Sequence, residues 1–200
     1  MFKDSSGQYT IGDVLWVRPS LAFAKNYFDK LNKYDLVCAE IGVQRGDNAY
    51  RILRVANPKW LYLIDCWENI NWKERGEDYS GSSDNYKYVS DTIGKEKNVI
   101  VIKDYSQIAL PKLETDLFDY IYIDGDHSVV MCKKDILNSI PLLKIGGILA
   151  GHDYGVACEE LAGGVAKAVR NVFGNTFVYV ETGDWWVVID ENIKNIGKGD

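Results

Sequence analysis

A chain of 200 residues with 46% hydrophobic side chains can bury a sizeable core, and its length suits one domain better than two. The formal net charge of -6 excludes the basic excess that holds phosphate backbones, so a small molecule, not nucleic acid, is the expected partner. No apolar run nears the roughly 18 residues of a membrane span and no signal-like segment opens the chain, so a cytoplasmic protein without membrane contact is expected.

Leu21, Ala24, Phe28 and Leu31 fall at helical spacing after Pro19 and Ser20, which predicts an amphipathic helix over 18–34. Short apolar, β-rich runs then predict strands at 36–41, 60–64, 99–102, 120–123 and 148–151. Between them lie predicted helices at 47–55 and 84–93, a turn at 110–113, and helices at 128–143 and 158–173. Strict alternation of strand and helix implies a parallel sheet with helices on both faces. The end breaks that rhythm, because 176–181 and 185–189 flank Thr182-Gly183-Asp184 and read as an antiparallel pair. The fold class is therefore α/β, a Rossmann-like doubly wound sheet, mostly parallel, closed by an antiparallel C-terminal hairpin strand. One domain covers 1–200, divided into an N-terminal helical segment (1–35), the core (36–190) and a frayed polar tail (191–200). Trp185 and Trp186 are adjacent and face opposite sides of their strand, one toward the core and one free for a partner subunit of a homodimer. Cys38, Cys66, Cys132 and Cys158 show no C-x-x-C spacing and suggest neither a zinc site nor a disulfide framework.

The only two histidines each stand beside an aspartate at the end of a strand-like run: Asp124-Gly125-Asp126-His127 and His152-Asp153. Ligands of open parallel sheets bind just outside the carboxyl ends of the strands, so the two acid-histidine pairs read as one polar site. A Gly-rich turn follows the first core strand, Glu40-Ile41-Gly42-Val43-Gln44-Arg45-Gly46, and the next strand ends in Asp65. Glycines permit a tight turn, and the helix behind them offers free N–H groups to an anion. An acid at the end of the neighbouring strand suits ribose hydroxyls.

These residues resemble the class I methyltransferases that use S-adenosylmethionine, whose acidic-x-G-x-x-x-G signature matches Glu40 to Gly46. The run Tyr122-Ile-Asp-Gly-Asp-His-Ser128 is similar to the Y-I-D-G-D-H-S of small-molecule O-methyltransferases related to the macrocin and catechol enzymes. The likeness spans about 36–175 and implies the seven-stranded architecture of that class. It implies cofactor contacts from Glu40, Gly42, Gly46, Asn48, Asp65, Cys66 and Asp124, with Asp104, Ser106 and Gln107 on the adenine side. In the metal-dependent members the acids ending the fourth and fifth strands bind a divalent cation, which maps onto Asp124 and Asp153. Carboxylates with water and substrate oxygens suit Mg²⁺. The family's third ligand is an Asn after, or an Asp before, the second acid; here those places hold Tyr154 and His152. An imidazole ligand favours a transition metal, and a two-carboxylate or metal-free site is the alternative. His127 stands where the catechol-type enzymes carry a catalytic lysine and is the expected base, with Asp126 its rival.

The segment after Asp65, polar and carrying Trp67, Trp72 and Tyr79, reads as a substrate lid. The resulting expectation is methyl transfer to the hydroxyl of a sugar-like or natural-product-like small molecule. Two rivals are a nicotinamide-dependent oxidoreductase, weakened by the missing G-x-G-x-x-G, and a catalytically silent binding module.

Overall fold

The computed structural model describes residues 2–3, 9–11, 14–68, 82–155, 162–174 and 178–196. Three short antiparallel strands, β1 (Phe2–Lys3), β2 (Tyr9–Ile11) and β3 (Val14–Val17), precede helix α1 (Pro19–Lys30). The segment over 1–35 is thus not helical throughout. The β-branched and aromatic run Val-Leu-Trp-Val favours extended backbone, and Pro19, with its fixed φ, starts the helix only after it.

Strand and helix then alternate: β4 (Val37–Ile41), α2 (Asp47–Ala56), β5 (Trp60–Asp65), α3 (Ser82–Asp91), β6 (Val99–Lys103), α4 (Ser106–Ala109), β7 (Phe118–Ile123), α5 (Val129–Ser139), β8 (Leu143–Gly151) and α6 (Ala162–Phe173). A hairpin of β9 (Tyr179–Glu181) and β10 (Asp184–Val188) and the short helix α7 (Glu191–Ile196) end the described chain. The large sheet runs β6-β5-β4-β7-β8-β10-β9, with β4 to β8 parallel and β10 inserted antiparallel between β8 and β9. This is the expected doubly wound sheet. Its strand order reverses between β4 and β7, and that crevice is where such sheets bind ligands.

The boundaries around Pro141 differ from the sequence reading. Pro141 cannot continue a helix, so α5 stops at Ser139, a tight turn spans Ile140–Leu142, and β8 starts at Leu143 instead of 148. The polar tail also holds a helix: Asp190 accepts the Ile193 amide at 2.8 Å, Ile193 enters the core, and Lys194 bonds the Pro141 carbonyl at 3.0 Å.

Period-two alternation splits the core across the sheet. Ala39, Ile41, Ile121, Ile123 and Leu149 face one side with α5 and α6, while Cys38, Leu61, Leu63, Tyr120 and Tyr122 face the other with α1 and α2. Trp185 packs into the first cluster and Trp186 into the second, where it stacks on Tyr179 and meets Phe23. Both indoles are covered by their own chain, so neither is the free partner-facing ring that alternation alone suggested.

Candidate active site

The ladder brings the strand ends into line. Ile41 pairs with Ile64 on one side and Ile123 on the other, and Ile123 pairs with Gly151. Amides continue the registration past the strands: Gly42 donates to Ile64 (2.9 Å), Asp124 to Ile41 (2.7 Å) and His152 to Ile123 (3.2 Å). Gly42, Asp65, Asp124 and His152 therefore share one rim.

Gly42 and Gly46 sit at φ +82° and +85°, where a side chain is strained. A Cβ on Gly42 would lie 2.2 Å from the Asp124 carbonyl oxygen, so this glycine lets the end of β4 pack against the end of β7. Gly46 has ordinary room around it and is required for its φ alone. It opens α2 without a side-chain cap, leaving the first amides of the helix to an anion.

Asp65 shapes this turn. Its Oδ2 accepts the amides of Val43 (2.8 Å) and Gln44 (2.9 Å), and its Oδ1 accepts that of Trp67 (2.7 Å). The Trp67 indole donates to the Gln44 carbonyl at 2.8 Å and is buried against Tyr86. Trp67 is thus a brace of the turn and not a lid wall, while Trp72 and Tyr79 lie outside the described residues. Cys66 is half-buried, which pushes its thiol up.

Glu40 lies fully buried at the end of β4. Its Oε1 accepts from Asn48 Nδ2 at 3.0 Å, whereas Glu40 Oε2 and Asn48 Oδ1 have no partner among the described residues. Burial pushes the Glu40 carboxyl up to about 8. These two unpartnered oxygens at the mouth of a helix suit a ligand that brings N–H donors, and a cationic one would hold the Glu40 carboxylate ionised.

The residues expected beside an adenine turn elsewhere. Asp104 accepts the Tyr105 amide at 2.9 Å and meets Lys112 at 3.1 Å. Ser106 (2.6 Å) and Gln107 (3.0 Å) both donate to Oδ1 of Asp135, a buried acid of α5 that sequence reading passed over. Asp135 stands behind Gly125, and burial pushes its carboxyl from 3.8 up to about 6, against the pull of the two donors. An acid whose folded pKa lies above its unfolded one costs stability as pH rises through that window. The urea midpoint is expected to fall between pH 4 and pH 6.5, by a contribution of about 3 kcal/mol at most. Asp135→Asn removes that slope; an unchanged slope in the variant would place the titration elsewhere.

Asp124, His152 and Asp153 bring one ligand atom each within 4.8 Å of one another. His127 Nε2 joins them, 3.3 Å from Asp153 Oδ2 and 3.7 Å from Asp124 Oδ1, and His152 Nδ1 lies 3.0 Å from Asp153 Oδ1. Asp153 holds left-handed backbone at φ +59°, a region that non-glycine residues seldom enter but that aspartate tolerates better than most. The Asp124 and Asp153 carboxylates raise the His127 pKa above the ordinary imidazole value. His152 in turn lowers that of Asp153. Asp126 is engaged with the start of α5 instead: its Oδ1 accepts the Ser128 amide at 2.7 Å, and Ser128 caps the helix at Met131.

Besides Asp135, two residues of the site escaped the sequence reading. The Arg18 guanidinium lies 3.5 Å from Asp124 and 3.5 Å from Asp184, whose carboxylate also takes the Ser20 amide and hydroxyl and the Tyr122 hydroxyl. No local pattern marks Arg18. Gly164 on α6 backs the His127 main chain so closely that a Cβ there would sit 2.1 Å from the His127 carbonyl oxygen. The Gly163-Gly164 pair inside a helix was its readable signal. Gly164→Ala is expected to cost about 1–3 kcal/mol and to lower turnover by displacing His127; wild-type urea stability and turnover would show that α6 yields freely.

A family model described as a methyltransferase domain matches residues 39–154, more than half of the chain. No curated protein matches the sequence. Among solved structures, the O-methyltransferase NovP superposes with a TM-score of 0.60 at 18% identity, over 84% of this chain and 78% of that one. A candidate caffeoyl-CoA O-methyltransferase from Staphylococcus aureus gives 0.59 at 14%, over 90% and 86%. A candidate methyltransferase from Streptococcus mutans, SMU.1697c, in complex with SAH, gives 0.56 at 14%, over 86% and 97%. The chain spans 46% of the length of a longer Galdieria sulphuraria structure that it also matches. The family model covers the Gly-rich turn, the Asp124 to His127 run and the His152-Asp153 pair, and the sheet beneath them has the matching order: the chain belongs to the methyltransferase domain family, with the class I fold.

Proposed function

We propose that this protein transfers a methyl group from S-adenosylmethionine to a hydroxyl of a small molecule, assisted by a divalent cation. The observation that carries this reading is the juxtaposition, on one rim, of the Glu40–Asn48 pocket with the Asp124, His127, His152 and Asp153 cluster. The donor's ammonium suits the orphaned acceptors of Glu40 and Asn48, and its carboxylate suits the first amides of α2. Asp65 acts on the cofactor by holding the turn in shape. Nearness of O-methyltransferase structures supports oxygen as the acceptor atom.

Asp124, Asp153 and His152 form a mixed carboxylate and imidazole donor set, which suits Mn²⁺ or another transition metal better than Mg²⁺. Such a cation would acidify and orient the acceptor hydroxyl. His127, oriented by Asp153, takes the hydroxyl proton, and Arg18 balances the charge of Asp124. The described thiols Cys38, Cys66 and Cys132 are free and no described helix is long and apolar enough to cross a membrane, which supports a cytoplasmic setting.

Calorimetry with S-adenosylmethionine, S-adenosylhomocysteine and NAD tests the donor, and release of S-adenosylhomocysteine with a panel of hydroxylated acceptors tests the reaction. Asp65→Ala frees three amide donors, two of them in the turn, and is expected to weaken S-adenosylmethionine binding about ten- to a hundredfold. Binding of NAD in preference to S-adenosylmethionine would replace this reading with the oxidoreductase.

A further inference from the structure

Three of the chain's six arginines fall within ten positions, at Arg45, Arg51 and Arg54. The turn before α2 and the exposed face of that helix bring them into one groove of about 670 Å³, lined also by Trp16, Tyr50 and Tyr88. The three guanidiniums lie over three different rings: Arg45 lies 5.3 Å over Tyr88, Arg51 4.8 Å over Trp16, and Arg54 5.1 Å over Tyr50 while donating to its hydroxyl at 3.0 Å. Asp47 and Glu96 line the same groove, yet the only arginine in an ion pair among the described residues is Arg18. In a chain with 29 acidic residues against 23 basic ones, three cations gathered in a concavity and held by π faces leave planar donor edges for an anion.

The groove adjoins the acid-histidine cluster. The Trp16 indole is shared, with Arg51 at 4.8 Å and Arg18 at 5.2 Å, and Arg18 reaches Asp124 at 3.5 Å. One indole and one guanidinium therefore separate the two. We infer that this groove holds the far end of the methyl acceptor, a phosphate-type anion carried on a planar ring, while the acceptor's hydroxyl end lies at Asp124 and His127. Guanidinium edges take the phosphate oxygens in pairs, and the exposed rings of Tyr50 and Tyr88 offer faces for stacking. The inference deepens the function proposed above and rests on it for the identity of the hydroxyl end.

The test is calorimetric titration of the full chain with adenosine 5′-diphosphate, with S-adenosylhomocysteine in excess so that the cofactor pocket is occupied. One site is expected with Kd between about 10 μM and 1 mM, weakened about tenfold by Arg51→Ala and about tenfold by Arg54→Ala. Pyrophosphate and adenosine alone each bind more weakly than the diphosphate. Both side chains lie on the groove surface, so the variants keep wild-type urea stability and S-adenosylhomocysteine affinity. Absence of binding up to about 10 mM, or equal binding by wild type and the double variant, overturns the inference. Failure of S-adenosylhomocysteine itself to bind strikes the methyl-donor reading separately, and the arginine variants still report on the groove.

Discussion

Asp124→Asn and Asp153→Asn are each expected to lower methyl transfer by about a hundredfold or more, with S-adenosylhomocysteine affinity within about threefold of wild type. The split follows from the layout of the rim. The groups assigned to the donor, Glu40, Asn48 and the Asp65-held turn, belong to β4, α2 and β5, whereas the two aspartates follow β7 and β8 and converge with His152. The same division predicts that EDTA suppresses turnover and Mn²⁺ restores it, while donor binding is indifferent to both. Direct Mn²⁺ binding, followed by paramagnetic resonance, should disappear in either variant. Full turnover in EDTA would remove the cation and leave Asp124 and Asp153 acting through Arg18 and His127; a parallel loss of donor affinity would move Asp124 into the cofactor pocket.

Gly42→Val should abolish donor binding and destabilise the fold at the same time, by about 3 kcal/mol or more. The Gly-rich signature by itself suggests that a side chain here would fill space meant for the cofactor. The structure moves the collision: the added Cβ meets the Asp124 carbonyl at 2.2 Å and the Gly125 Cα at 2.6 Å, both backbone, and φ is +82° besides. Neither strand end can retreat without breaking the backbone hydrogen bonds that the Gly42 amide donates to Ile64 and the Asp124 amide to Ile41. Gly42→Ala is the milder probe and should already shift the urea midpoint. A Gly42→Ala protein of native stability that binds no donor would return the glycine to a purely ligand-facing role.

The parts of this architecture that announce themselves in sequence are those governed by short-range periodicity. Apolar runs of strand length alternate with helical spacing, and acids or histidines terminate the runs, so periodicity alone puts Glu40, Asp65, Asp124, His152 and Asp153 at strand ends. What periodicity cannot give is direction. Ser106 and Gln107 occupy the expected segment but donate inward, because Asp135, a helical residue 28 or more positions away, is buried there and needs donors. Asp126 sits among the site's residues in sequence yet turns to the Ser128 amide. Arg18 reaches Asp124 across more than a hundred residues, and Gly164 touches His127 only because α6 folds back; such meetings depend on tertiary closure.

The dipeptide Trp185-Trp186 has a consequence for how the molecule comes apart. One indole is sealed among α5- and α6-side residues and its neighbour among α1- and α2-side residues, so β10 is a common member of both halves of the interior. Detaching either layer of helices strips apolar cover from a strand that the other layer also needs, so sub-global openings that expose one face alone are disfavoured. Amides of α1 and α6, on opposite sides of the sheet, are then expected to exchange with solvent at the same free energy, as parts of one cooperative unit.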